Sequence, residues 1–237
     1  MDRKEGMYMK LTEILDQMHL DAMLITNPYN MRYLSHFRGG EGILLISRKS
    51  RVLITDSRYT EAAKQESDFQ VEECNHLRKT TDILNDWIER EQLLTVGYED
   101  ASMLCSTFRE YQTGLPAIKE WIPLGVAVTR LRQIKTPEEI GYLRQAEAIG
   151  DAAFTKILDI IKPGMTELEI QAELEYRMMK CGASGTSFDT IVASGIHSSM
   201  PHAIPSEKKV ECGDFITMDY SASYKGYCSD MTRTVAI

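Results

Sequence analysis

Two aspartates near the C-terminal end of the sequence, Asp219 and Asp230, have the residue type and spacing to hold divalent cations. The segment running from Phe215 to Thr234 reads as a β-hairpin around Ser223-Tyr224-Lys225-Gly226. With the turn centred between Tyr224 and Lys225, Asp219 and Asp230 face one another. Residues so opposed carry Cβ atoms about 4.5–5.5 Å apart on one side of the sheet, where like charges destabilise the pairing unless something neutralises them. A divalent cation does so, and a carboxylate shared by two ions about 3.5–4 Å apart belongs to the arrangement that activates a water and polarises a carbonyl. Spacing alone leaves a second reading open: Asp219 ends a strand, Asp230 caps a turn, and each is solvated. A β-bulge would also shift the register.

His202 is the third residue of interest. It follows Pro201 on a polar stretch rather than on an apolar helix face, so its imidazole could donate to a peptide carbonyl or to a tetrahedral intermediate. His197, five residues earlier, reads as a surface-loop residue. The five cysteines, at 74, 105, 181, 212 and 228, stand singly and include no CxxC. That pattern excludes a cysteine zinc site and a disulfide framework and predicts reduced, mostly buried thiols.

The elements that must position these residues fall into two textures. Up to about residue 130, short apolar, β-branched runs (22–26, 42–47, 51–55, 69–73 and 94–98) alternate with helical patterns (10–18, 58–66, 81–91 and 102–113). Such alternation predicts a sheet with helices packed on it, punctuated by turns at Asn27-Pro28 and Arg38-Gly39-Gly40. At Thr136-Pro137-Glu138-Glu139 a hydroxyl cap, a proline at the first helical position and a capping-box glutamate start a long helix. Its apolar stripe is Ile140, Leu143, Ala146, Ile149, Ala153, Ile157 and Ile160, and Lys162-Pro163-Gly164 stops it. Thr166-Glu167-Leu168-Glu169 repeats the signature and opens a second helix to about Lys180. Strand texture follows at 188–194, 214–220 and 227–235, and Thr234-Val235-Ala236-Ile237 reads as the middle of a strand.

The 237 residues are 43% hydrophobic and 26% charged, the balance of a folded chain rather than a disordered one. Lys and Arg number 27 against 35 Asp and Glu, a net charge of −8 with no basic run, which disfavours a nucleic-acid surface. The start of the chain shows no apolar secretory core, and the longest apolar runs are strand-sized. The expectation is a cytoplasmic protein with no membrane partner.

Taken together, Phe188-Asp189-Thr190-Ile191-Val192-Ala193-Ser194-Gly195, Pro201-His202-Ala203, Gly213-Asp214 and Asp219 with Asp230-Met231-Thr232-Arg233-Thr234 closely resemble the proline-directed metallopeptidases, the Xaa-Pro aminopeptidases and dipeptidases. Arg132 to Ile140 and Lys162 to Glu167 are similar to the same family. So are Asn27-Pro28-Tyr29-Asn30 and Thr55-Asp56-Ser57-Arg58-Tyr59 in the first half, so the likeness spans nearly the whole chain. The resemblance implies a creatinase-like α/β N-terminal domain over 1–130 and an incomplete α+β pita-bread domain over 131–237. It implies two divalent ions, commonly manganese or cobalt, with Asp219 and Asp230 as ligands, Asp230 bridging, and His202 as the catalytic-site histidine beside a proline-containing peptide.

Two departures from the family accompany the likeness. Ser221 stands where the family usually has glycine, two residues after the first ligand. A histidine and two glutamate ligands found further along in the family have no counterpart here, so the expectation is a C-terminally truncated member whose activity needs a complementing fragment. The alternative is a non-catalytic module that self-associates, with a homo-oligomer as the expected state. A creatine-type amidinohydrolase lacks the metal aspartates, and a methionine aminopeptidase lacks the extra N-terminal domain.

Overall fold

The computed structural model describes residues 3–237. The chain divides into two compact units, Met1–Ile134 and Lys135–Ile237. The division falls after, not at, residue 130, because Val128 and Leu131 still pack into the core of the first unit.

The first unit begins with α1 (Arg3–Gln17), β1 (Ala22–Ile25), α2 (Pro28–Ser35), β2 (Ile43–Ser47), β3 (Arg51–Asp56) and α3 (Thr60–Glu66). It continues through β4 (Gln70–Cys74), α4 (Thr80–Glu91), β5 (Thr95–Tyr98), α5 (Cys105–Gly114), β6 (Glu120–Pro123) and the short α6 (Ala127–Arg130). The strands form one sheet in the order β4-β3-β2-β1-β5-β6. β2 is antiparallel to both its neighbours, and the other pairs are parallel. β1 and β2 are buried at every position, as strands covered on both faces must be. Met23, Ile25, Leu44, Ile46 and Leu53 pack with α1, α2 and α3, while Ala22, Leu24, Ile43, Leu45, Val52 and Ile54 pack with α4 and α5.

Two expectations need correction in this unit and a third along the whole chain. Asn27-Pro28 is a helix start rather than a plain turn: the Asn27 side chain accepts from the backbone N–H groups of Tyr29 and Asn30, and Pro28 sits in the first turn of α2. The third helix begins at Thr60, two positions later than the pattern suggested, because the Asp56 carboxylate takes the Arg58 backbone N–H and turns the chain first. The cysteines are not mostly buried; Cys105, Cys212 and Cys228 are exposed and Cys74 and Cys181 half-buried, all with free thiols.

The second unit contains α7 (Pro137–Leu158), α8 (Glu167–Lys180), β7 (Ile191–Ser194), a 3₁₀ turn (Gly195–Ser199), β8 (Phe215–Tyr220), β9 (Ser223–Tyr224), β10 (Tyr227–Cys228) and β11 (Met231–Ala236). Both long helices open on full capping boxes, Thr136 with Glu139 and Thr166 with Glu169. The sheet order is β11-β8-β7, all antiparallel. Ile149, Ala153 and Ile157 of α7 and Ile170, Leu174 and Met178 of α8 cover one face of it, packing on Val192, Ile216, Met218, Tyr220 and Met231. The buried stripe of α7 begins at Ala146, since Ile140 is 40% exposed.

Candidate functional site

The site rests on the pleat of β8. Ile216, Met218 and Tyr220 are buried beneath the helices, so Thr217 and Asp219 project from the opposite face. Across the ladder Asp219 faces Thr232 on one side and Ile191 on the other. This register corrects the hairpin expected from sequence, in which Asp219 opposed Asp230 directly. The turn is the two-residue Lys225-Gly226 between the paired Tyr224 and Tyr227, with φ of 48° and 83°. Positive φ at both positions is the signature of the hairpin turn that matches strand twist.

Moving the turn by one residue keeps both carboxylates on one face. Asp230 lies two residues before Thr232, and the alternation of buried Met231 with exposed Asp230 and Thr232 puts it on the side of Asp219. Asp219 and Asp230 are therefore diagonal neighbours, about 7–8 Å apart at the backbone rather than in direct opposition. Asp230 is exposed. Oδ1 of Asp219 is buried and has no hydrogen-bond partner among the described residues. A buried carboxylate oxygen without a donor is costly unless a cation meets it, and the residues present fit a divalent ion on that count. Neither aspartate makes a hydrogen bond or ion pair among the described residues that would cap a turn.

Ser221 follows two residues after Asp219 and is fully buried. Its hydroxyl accepts from the Ser187 backbone N–H at 2.8 Å and from the Ser187 hydroxyl at 2.6 Å. The side chain is thus occupied in tying the segment before β7 to the end of β8.

His202 lies on the loop that follows the 3₁₀ turn and is exposed. The loop is anchored elsewhere, at Glu167 in the first turn of α8, whose side chain is completely buried. Glu167 accepts from the backbone N–H and hydroxyl of Ser194 at 2.8 and 2.9 Å, and from those of Ser206 at 3.1 and 2.7 Å. His197 Nδ1 lies 3.1 Å from one of its oxygens and 3.2 Å from the other. His197 is therefore not a solvated surface-loop residue but the partner of a buried carboxylate. Burial raises the affinity of Glu167 for a proton, yet the hydrogen bonds from Ser194, Ser206 and His197 outweigh it and hold the carboxyl below its ordinary value.

An ion pair braces the same region. Lys208 Nζ donates to Ser194 Oγ and to Asp214 Oδ2, each at 2.9 Å. The Glu211 backbone N–H and then Lys208 hold Asp214 below the usual carboxylate range. Asp214 packs on Gly195, whose φ is +52° and where an added Cβ would stand 2.5 Å from Asp214 Oδ1.

The structure thus brings Asp219 and Asp230 to one face, while His202 sits on a separate loop. Among the described residues no three His, Cys, Asp or Glu side chains converge as a metal centre. Sequence reasoning missed Glu167 as anything beyond a neighbour of a helix cap, since its partners at 194, 197 and 206 lie far along the chain.

Residues 8–134 match the creatinase/prolidase N-terminal domain, and residues 141–237 match metallopeptidase family M24. The chain belongs to the M24 metallopeptidases that carry a creatinase/prolidase N-terminal domain, the family of Xaa-Pro peptidases. It is 43% identical over 230 residues to an uncharacterised peptidase, YqhT, of Bacillus subtilis, covering 96% of this chain and 64% of that protein. It is 33% identical over 229 residues to the Xaa-Pro dipeptidase of Pyrococcus horikoshii, covering 96% and 63%. Among solved structures, an Xaa-Pro dipeptidase from Bacillus anthracis superposes with a TM-score of 0.91 at 39% identity, covering 99% of this chain and 65% of that one. An X-Pro aminopeptidase from Thermotoga maritima gives 0.87 at 40% identity, covering 95% and 65%. The chain therefore spans a little under two thirds of the length of these relatives. Among the described residues no helix is long and apolar enough to cross a membrane.

Proposed function

We propose that this chain carries one part of an Xaa-Pro peptidase site, with Asp219 and Asp230 as ligands to divalent ions, manganese or cobalt, and His202 beside the peptide. The observation that supports this most is the buried Oδ1 of Asp219, without a hydrogen-bond partner among the described residues, on the face it shares with Asp230. Such ions, when bound, supply an activated water and a polarised scissile carbonyl. The chain's own groups then have defined tasks. The two aspartates place negative charge on one side of the sheet, and the exposed imidazole of His202 is free to donate to a carbonyl oxygen as charge develops on it.

Two carboxylates leave such a site short of donors, since even a single catalytic zinc ordinarily takes three protein ligands. The family likeness calls for a histidine and two glutamates besides, and no residue of these 237 is assigned to those roles. The purified chain with manganese is therefore expected to release no measurable N-terminal residue from an Xaa-Pro dipeptide. Manganese should nonetheless broaden the backbone resonances at 219 and 230, and Asp219→Asn should remove that broadening. Broadening that survives the substitution, or that appears elsewhere, counts against the ligand assignment.

A second reading, self-association, is favoured by one face of the second unit. Among the described residues β11 pairs only with β8, and Phe215 of β8 is 60% exposed. An unpaired strand edge beside exposed apolar side chains favours a partner strand. Sedimentation giving a monodisperse monomer would remove this reading.

A further inference from the structure

We propose that Glu167 is the positioning residue of the His202 loop: its single buried carboxylate closes residues 195–205 into a ring by holding the residues on both sides of them. Oε1 receives the backbone N–H and hydroxyl of Ser194, at one end. Oε2 receives the backbone N–H and hydroxyl of Ser206, at the other. The two ends therefore meet across the width of one carboxylate. His197, from within the ring, contacts both oxygens.

The remaining contacts fix the clamp rather than the loop tip. The Glu167 backbone N–H donates to Lys208 O at 3.1 Å and that of Leu168 to Ser206 O at 3.3 Å, so the start of α8 is itself paired with the returning chain. Lys208 reaches back to Ser194, and Asp214, its ion-pair partner, packs on Gly195. The charged and titratable groups around the carboxylate are thus His197, Lys208 and Asp214. Glu167 occupies the first turn of α8, at the positive end of the helix dipole, which favours negative charge. An ionised carboxylate presents acceptors only, which is what four donors and an imidazole require.

His202, by contrast, has no side-chain partner among the described residues, so its placement depends on the ring that carries it. Glu167 acts through the loop and touches no reacting atom. This inference rests on the reading of His202 as the residue beside the peptide only for its functional consequence, since the clamp is defined by its own hydrogen bonds.

Hydrogen exchange and ¹⁵N-imidazole spectra of the whole chain test it. In Glu167→Gln, whose amide turns an N–H₂ toward one pair of donors, amides in 195–205 should exchange about tenfold faster or more, the scale set by losing hydrogen bonds to a charged acceptor. The His202 and His197 resonances should shift, while amides in α7 and β8 keep their rates. Ser194→Ala and Ser206→Ala each remove one hydroxyl donor and should speed exchange in the same segment by a smaller factor, which keeps the test available if Glu167→Gln does not fold. Unchanged exchange in 195–205, or an increase spread evenly over the second unit, overturns the clamp. Neither metal nor peptide enters these measurements, so a wrong role for His202 leaves them unaltered.

Discussion

Asp219 faces Thr232 across the β8–β11 ladder, and this one pairing sets the geometry of the carboxylates. Had Asp219 faced Asp230, the two charges would sit within direct contact and repel. With Thr232 opposite, the second carboxylate stands one step along the pleat.

The buried oxygen of Asp219 makes a stability experiment informative. Without metal, Asp219→Asn should stabilise the second unit by about 1 kcal/mol, because it removes the charge from a carboxylate whose buried Oδ1 has no donor among the described residues. Added manganese should raise the melting temperature of the parent chain and leave that of the variant unchanged. A variant less stable than the parent in metal-free buffer contradicts the prediction.

The Glu167 carboxyl gives the second unit a defined acid sensitivity. Its folded-state value lies below the ordinary 4.5, so the unfolded chain takes up the proton first as pH falls. The stabilisation is present above 4.5 and is lost as pH drops through the depressed folded value. Glu167→Gln should flatten this part of the stability profile measured by urea unfolding between neutral pH and pH 3. An unchanged profile means that another carboxyl carries it.

Gly195→Ala tests the close approach of Asp214. The substitution places a Cβ in a left-handed backbone region and 2.5 Å from Oδ1 of Asp214, a carboxylate whose other oxygen is held by Lys208. The left-handed conformation alone costs about 1–2 kcal/mol, so a loss of about 2 kcal/mol or more is expected in denaturant melts. Asp214→Ala in the same background should recover part of it.

Ser221→Ala should expose the Ser187 amide. Removing the hydroxyl leaves a partly buried N–H without an acceptor, at a cost of about 1–3 kcal/mol. Exchange at Ser187 should quicken while the β8–β11 ladder stays protected. Uniform protection at Ser187 in the variant shows that the hydroxyl was not holding it.

Much of this architecture is local and therefore legible in sequence. β1, β2 and β3 are apolar runs because both their faces are covered. Thr136 and Thr166 announce their helices because a capping box is complete within four residues. Asn27-Pro28 misleads because an asparagine followed by proline serves a turn and a helix start with the same hydrogen bonds. β6 escaped notice because Glu120-Trp121-Ile122-Pro123 is a short edge strand, exposed at both ends and only half-buried between, with no alternation to read. The hairpin register turned on Lys225 adopting positive φ, which its side chain does not advertise. The candidate site divides the same way. Asp219 and Asp230 share a face because strand alternation is local, whereas the partners of Glu167 lie 27, 30 and 39 residues away and no spacing rule reaches them.

Because one carboxylate seals both ends of the His202 segment, the segment behaves as a cassette. Its stem belongs to the start of α8 and the returning chain, while the sheet is held by its own ladder and by the buried faces of α7 and α8. Exposed residues of the segment, such as Ile196 and Ile204, can be exchanged with the stem kept. What the loop presents to solvent is in this way separable from what folds the unit. Variation among relatives is expected to accumulate at the tip while Glu167, Ser194 and Ser206 stay fixed.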